Sequence, residues 1–335
     1  MSLPLRTKVF WSIYRRVERD PVMQQGADKV RAASDRRRKM SRMPGSSLLT
    51  GRPDRGAVAE DTAATLPDGT TLPLRIYRPQ VRTTDAAADA LPVVMYFHGG
   101  GWVSGDPWQS EWWCAGVAAG AGAVVVSVDY RLAPEHPFPT PVEDCYAATV
   151  WVAEHARELG VDADRLAVMG DSAGGNAAAV VSLMARDRGG PRIRLQALIY
   201  PSVDLGADYP SKHENADAPV LTRKDLDTTW HLYLPDESKM HDPYASPLYA
   251  EHHDLPPALI QTAQYDPLRD QGAVYAAALR AAGVSVRLTN YVRAVHGYVS
   301  LRNVTIGADQ ALGEAVAVLE DALVERSADV VAPAE

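Results

Sequence analysis

The run GDSAGG at 170–175 constrains this chain most, because of what stands on either side of it. Residues 165–169 (RLAVM) read as a short buried strand, and residues 176–186 (NAAAVVSLMAR) as an alanine-rich helix. A serine between glycines at such a junction marks a turn too tight for side chains at the flanking positions, with the hydroxyl lifted above a sheet edge. Ser172 is therefore a candidate nucleophile, and the fold around it should alternate strands with helices.

A serine is a weak nucleophile at neutral pH and needs a base, a group that orients the base, and donors for a developing oxyanion. The donors come first in sequence. Residues 91–97 form an apolar run of strand length, and HGGGW (98–102) follows it. Gly100 and Gly101, with Ala173 after the serine, are the expected amide donors. The plainer reading is a flexible loop or a phosphate cradle. Against it, a Walker lysine is absent and no G-x-G-x-x-G opens a helix here. Residues 256–263 read as a strand with Asp266 just beyond its carboxyl end, and 285–291 as the next strand, with His296 in the loop after it. Asp270 competes as the acid, but it should already sit in the following helix. Asp266 is the better candidate.

With these segments in view, the chain resembles the hormone-sensitive lipase family of α/β-hydrolases, in particular its bacterial GDSAG-type esterases. The matching text is HGGGW (98–102), VDYRLAPEHPFP (128–139), GDSAGGN (170–176), DPYASPL (242–248), YDPLRD (265–270) and HGY (296–298). The resemblance covers about residues 70–320; Gln264 and Tyr298 depart from it without removing a catalytic group. It implies an α/β fold with a mostly parallel central sheet, flanking helices and a helical cap. It also implies a Ser172–His296–Asp266 triad, hydrolysis of small acyl esters through an acyl-enzyme, and no cofactor. An amidase or formamidase on the same scaffold is the enzymatic alternative. A non-catalytic small-molecule receptor is the other, and the presence of His296 argues against it.

The 335 residues, 46% apolar, suit one large domain with a lid. Residues 1–50 should form two helices, the first with an apolar stripe of Val9, Phe10, Ile13, Tyr14 and Val17, the second over 27–40; the resemblance implies that they are cap helices. Such a narrow stripe is expected to pack against the same chain. Residues 51–326 should be the catalytic domain, with a cap insertion at about 204–240 holding a helix near 222–233. Residues 327–335 read as a tail. Residues 56–64 and 72–78 suggest an antiparallel start, 81–91 a surface loop, and 123–128 a strand buried on both faces. Helices are expected at 141–159, 271–282 and 309–326. Arg131, Glu135 and Asp144 are expected to form structural ion pairs.

Charge is uneven: residues 1–60 carry +8 and the remainder −16. The densest basic run, 36–39, is short and lacks interleaved aromatics, so a solvated helix face is the simpler reading than a nucleic-acid or membrane patch. Cys114 and Cys145 are too few for a disulfide framework. No metal site is evident, and no stretch has the length of a membrane span. A cytoplasmic location is the default, and a homodimer is an open option. Trp102, Trp108 and Tyr200 are candidate walls of the substrate pocket. That bulk, with the resemblance, suggests acyl chains of about two to eight carbons.

Overall fold

The computed structural model describes residues 3–17, 27–80, 90–206 and 208–323. Eight strands form one sheet: β1 (Ala57–Thr65), β2 (Thr71–Pro79), β3 (Leu91–Phe97), β4 (Val124–Val128), β5 (Val161–Asp171), β6 (Ile193–Ile199), β7 (Ala258–Tyr265) and β8 (Val286–Val295). Their spatial order is β1-β2-β4-β3-β5-β6-β7-β8. β1 and β2 are antiparallel to their neighbours, and β3 to β8 run parallel. The helices are α1 (Leu5–Val17), α2 (Ala27–Ser41), α3 (Ser47–Thr50), α4 (Glu111–Ala121), α5 (Thr140–Glu154), α6 (Ala156–Leu159), α7 (Ala173–Asp187), α8 (Pro210–Glu214), α9 (Arg223–Tyr233), α10 (Arg269–Ala281) and α11 (Ala308–Leu323).

The sheet is covered on both faces, which explains why its central strands are apolar without alternation. Val93, Met95 and Phe97 of β3 join one core with residues of α5, α7 and α10. Val94 and Tyr96, the intervening positions, join a second core with α4 and α11. Order reverses between β3 and β5: the chain leaves β3 toward β4 on one side and later places β5 on the other. Such a switch point opens a crevice beyond the carboxyl ends of the strands. The loop after β3 and the turn after β5 both lie there.

Two segments cover that crevice. Thr222 caps α9, with its hydroxyl accepting the Asp225 amide while Asp225 accepts the Thr222 amide. The buried face of α9 (Leu226, Trp230, Tyr233) packs on Trp102, Ala173, Leu205 and Leu268. From the amino-terminal side, α2 buries Val30, Ala33 and Ser34 and is tied down by arginines. Arg38 bonds Asp129, and Arg31 bonds Glu135.

Three sequence expectations need correction. Residues 141–159 form two helices, broken at His155, whose Nδ1 lies 2.9 Å from the Trp151 carbonyl. Arg131 does pair with Asp144, at 2.6 Å, but Glu135 belongs to Arg31 of the cap. The stripe of α1 is only partly packed: Phe10 is half-buried, while Val9 and Ile13 are 51% and 56% exposed, as is Leu5 one turn earlier at 77%. The side chains of Tyr14 and Val17 lie outside the described residues. The face that docks is instead that of buried Thr7, whose hydroxyl donates to Val304 O at 3.0 Å. The readings at 81–89, 324–326 and the 327–335 tail lie outside the described residues.

Candidate active site

Ser172 caps the amino terminus of α7 with φ 59° and ψ −118°, a left-handed backbone that a non-glycine residue adopts only when its surroundings impose it. The surroundings are two close approaches. A Cβ on Gly174 would fall 1.9 Å from the Phe97 carbonyl oxygen, and one on Gly170 would fall 2.1 Å from the Gly174 carbonyl oxygen. Glycine at both positions lets α7 start directly against β3 and β5. The elbow is built by backbone contact.

His296 follows β8 and Asp266 follows β7. His296 Nε2 is 2.9 Å from Ser172 Oγ, and His296 Nδ1 is 2.7 Å from Asp266 Oδ2. Asp266 has no exposed surface, and its Oδ1 accepts the Leu268 amide at 2.8 Å. With Nδ1–H donated to Asp266, Nε2 is the acceptor for the serine hydroxyl. Asp270 faces elsewhere: it accepts the Ser211 amide of the cap at 2.9 Å and Arg269 Nε at 2.9 Å. Tyr200 packs beneath the imidazole, ring centroids 4.5 Å apart, and its hydroxyl accepts the Val299 amide.

The glycine loop after β3 lies beside the serine. Gly100 has φ 130°, and a Cβ there would sit 2.0 Å from Ser104 O, so no other residue fits. Among the described residues, the amides of Gly100, Gly101 and Ala173 find no protein acceptor. The sequence reading passed over the residue that joins this loop to the elbow. Buried Asp171 accepts the Gly99 amide at 2.8 Å, the Tyr96 hydroxyl at 2.7 Å and the Tyr200 hydroxyl at 3.3 Å. Burial raises its pKa, while those donors oppose the rise. The available signal was Tyr96, a hydroxyl inside an apolar strand that needs a partner.

His98, at the start of the loop, is fully buried and its pKa is pulled down to about 3 by desolvation. Its Nδ1 is 2.9 Å from Gly99 O, and its ring stacks on Tyr130 at 4.3 Å. The neutral ring therefore braces the loop, with Nε2 left without a partner among the described residues.

The cap meets the site at two points. A Cβ on Gly101 would fall 2.8 Å from Thr229 Cγ2, so α9 lies directly over the glycine loop. A Cβ on Gly297 would fall 2.9 Å from Val220 Cγ1, so the segment before α9 covers the residue after His296. Val220 holds φ 74°, which is costly for a β-branched residue. Trp102 stacks on Tyr233 of α9 at 4.1 Å, nearly parallel. Trp108 is half-buried with Arg42 over its ring at 3.7 Å and Arg75 at 5.1 Å.

An eight-stranded, mostly parallel sheet carrying a serine elbow after β5, a carboxylate after β7 and an imidazole after β8 defines a class of enzyme, the α/β hydrolases. Comparison with known proteins agrees: a family described by its alpha/beta hydrolase fold matches residues 94–300. The chain belongs to that family, among the esterases resembling hormone-sensitive lipase, and is a carboxylic ester hydrolase. It is 48% identical over 261 residues to the carboxylesterase NlhH of Mycobacterium tuberculosis, covering 76% of this chain and 80% of that one. An ethyl acetate hydrolase of Pseudomonas putida is 36% identical over 280 residues, covering 83% and 87%. Among solved structures, a thermostable esterase from Pseudomonas putida ECU1011 superposes with a TM-score of 0.85 at 35% identity, covering 96% of this chain and 98% of that one.

Proposed function

We propose that this hydrolase cleaves short- to medium-chain acyl esters through Ser172, His296 and Asp266, by way of an acyl-serine intermediate. The observation that carries the reading is one imidazole within hydrogen-bond reach of both a hydroxyl and a buried carboxylate. His296 Nε2 takes the proton as Ser172 Oγ attacks the ester carbon. Asp266 stabilises the imidazolium and keeps Nδ1 protonated. Negative charge then develops on the former carbonyl oxygen, where the amides of Gly100, Gly101 and Ala173 serve as donors. The imidazolium returns its proton to the leaving alcohol, and water, deprotonated by His296, releases the acid.

The close approach of the cap supports a preference for small acyl groups. Thr229 lies close over Gly101 and Val220 close over Gly297, so the residues flanking the proposed site are covered. Trp102, stacked on buried Tyr233, backs the glycine loop from the cap side. Tyr200 is the floor under the imidazole. Trp108 is engaged by two arginines and acts in this account as a strut between cap and sheet. The hydrolase of Pseudomonas putida named for ethyl acetate fits the same size range.

A nitrophenyl ester series tests the reading, run with the wild type and with Ser172→Ala. Turnover should peak at acyl chains of about two to eight carbons, and the variant should lose about a millionfold in turnover. A peak at long chains would overturn the size preference; a variant with near-normal turnover would overturn the assignment of Ser172.

A further inference from the structure

Exposed apolar bulk is concentrated in one part of the chain. Of the eleven large hydrophobic residues that stand out as exposed among the described residues, seven lie within the first 50 positions. Leu5, Val9 and Ile13 are spaced four apart and form a single outward row on α1; Leu48 is 73% exposed. The two regions share one anchor. Thr7 of α1 donates to Val304 O, and Asn303 donates to Ser47 O and Leu48 O at 3.1 and 3.2 Å. The row on α1 borders a groove also lined by Pro4, Phe10 and Ile306.

The charge on α1 has one sign. The sequence of α1 contains Arg6, Lys8, Arg15 and Arg16 and no acidic residue. Arg6 and Arg293 line the groove itself. Residues 1–60 carry +8 on a protein whose remainder is −16. A helix that only needed to rest on an acidic body would turn its apolar row inward and leave its charges to solvent. Here the apolar row faces out beside basic residues, the pattern of helices that lie in a membrane interface.

We propose that α1, together with the 47–49 segment, is a reversible docking surface for an anionic lipid membrane. The apolar row would enter the boundary between headgroups and acyl chains, and the arginines and lysine would meet lipid phosphates. Because its anchor is the 303–304 stretch, seven residues beyond His296, docking would hold the site-bearing end of the chain close to a lipid surface. No helix of the described residues is long and apolar enough to cross a membrane, so the contact is peripheral. The proposal stands independently of which residues perform the chemistry.

Co-sedimentation with vesicles tests it, using the full chain. Vesicles of phosphatidylcholine with about 30% phosphatidylglycerol should retain the protein at low salt, and pure phosphatidylcholine should retain little. Salt of about 0.5 M should release it, since the Debye length falls from about 30 Å at 0.01 M to a few ångströms. The triple variant Leu5→Ser/Val9→Ser/Ile13→Ser should partition at least about tenfold less while hydrolysing a soluble nitrophenyl ester at the wild-type rate. That unchanged rate, with an unchanged melting temperature, shows that the variant is folded. Wild type that binds neither vesicle, or both equally, overturns the proposal. So does a triple variant that binds as well as wild type. A wild-type dimer that the variant converts to a monomer, without lipid binding by either, overturns it in favour of a second copy as the occupant.

Discussion

The two ends of this active site are held by different forces. Beneath the serine, the sheet end is fixed by backbone: α7 starts against the Phe97 carbonyl, and Asp171 gathers an amide and two tyrosine hydroxyls in a fully buried position. Above it, the amino-terminal helix α2 is held by side-chain charge as well as by its buried Val30, Ala33 and Ser34. Arg38 reaches Asp129, Arg31 reaches Glu135, and Arg42 lies over Trp108. Close-packed backbone has no cheap way to yield, whereas a half-exposed ion pair such as Arg31–Glu135 exchanges with water at little cost. Arg38–Asp129, 25% and 12% exposed, is the firmer of the two ties. The proposed chemistry therefore sits on the stiffer side of the site.

The comparison breaks first at Gly174. Replacing it with alanine puts a methyl group inside contact distance of a carbonyl oxygen, and the strand behind that oxygen is central to the sheet. Gly174→Ala should cost about 3 kcal/mol or more in chemical denaturation, or prevent folding. A variant as stable as wild type would show that the elbow has slack.

Asp171→Asn comes next. Three donors converge on the carboxylate, and an amide offers one acceptor oxygen in exchange, so the Gly99 amide or a tyrosine hydroxyl loses its partner. The loss should be about 1–3 kcal/mol in stability, with kcat lowered more than KM if the glycine loop holds the oxyanion as proposed. A change in KM alone would place Asp171 in substrate binding instead.

His98 separates the two regions by pH. Its folded pKa is about 3, against an ordinary value of 6.5. Above pH 6.5 neither state carries the proton, and the full stability is present. As pH falls from 6.5 toward 3, the unfolded chain binds a proton that the folded chain refuses. Stability should therefore drop, by at most about 1.4 kcal/mol per pH unit from this residue. His98→Asn should remove that component from the stability profile between pH 6 and pH 4 (about one proton's worth of slope). A variant with the wild-type slope would mean that the ring is not held neutral.

The smallest effect is expected at the cap. Arg31 and Glu135 are 27% and 48% exposed at the side chain, so Arg31→Met should change stability by about 1 kcal/mol or less. A loss of several kcal/mol would show the cap to be as tightly integrated as the sheet.

What was legible in the sequence follows the same division. β3 spans Leu91–Phe97 as the apolar run predicts, and β4 and α7 match within a few residues, because parallel strands and Gly-flanked elbows leave strong local signals. Ser172, His296 and Asp266 could be singled out because each follows a strand. Asp171 could not: its partners come from β3, the loop after it and the end of β6, and nothing local distinguishes it from a solvated aspartate. The break at His155 was equally hidden, since the helical period continues through it. The exposure of Val9 and Ile13 is not legible either, because periodicity says which residues share a face, not what lies opposite that face. Glu135 was given a neighbour in sequence, Arg131, when its partner is 104 residues away.

The most direct test of the central claim is active-site titration with a reactive phosphonate ester, followed by peptide mass mapping. The account predicts one phosphonate per chain, attached to Ser172, with activity falling in proportion to labelling. Label on a different residue, or full activity in a chain labelled at Ser172, would contradict it.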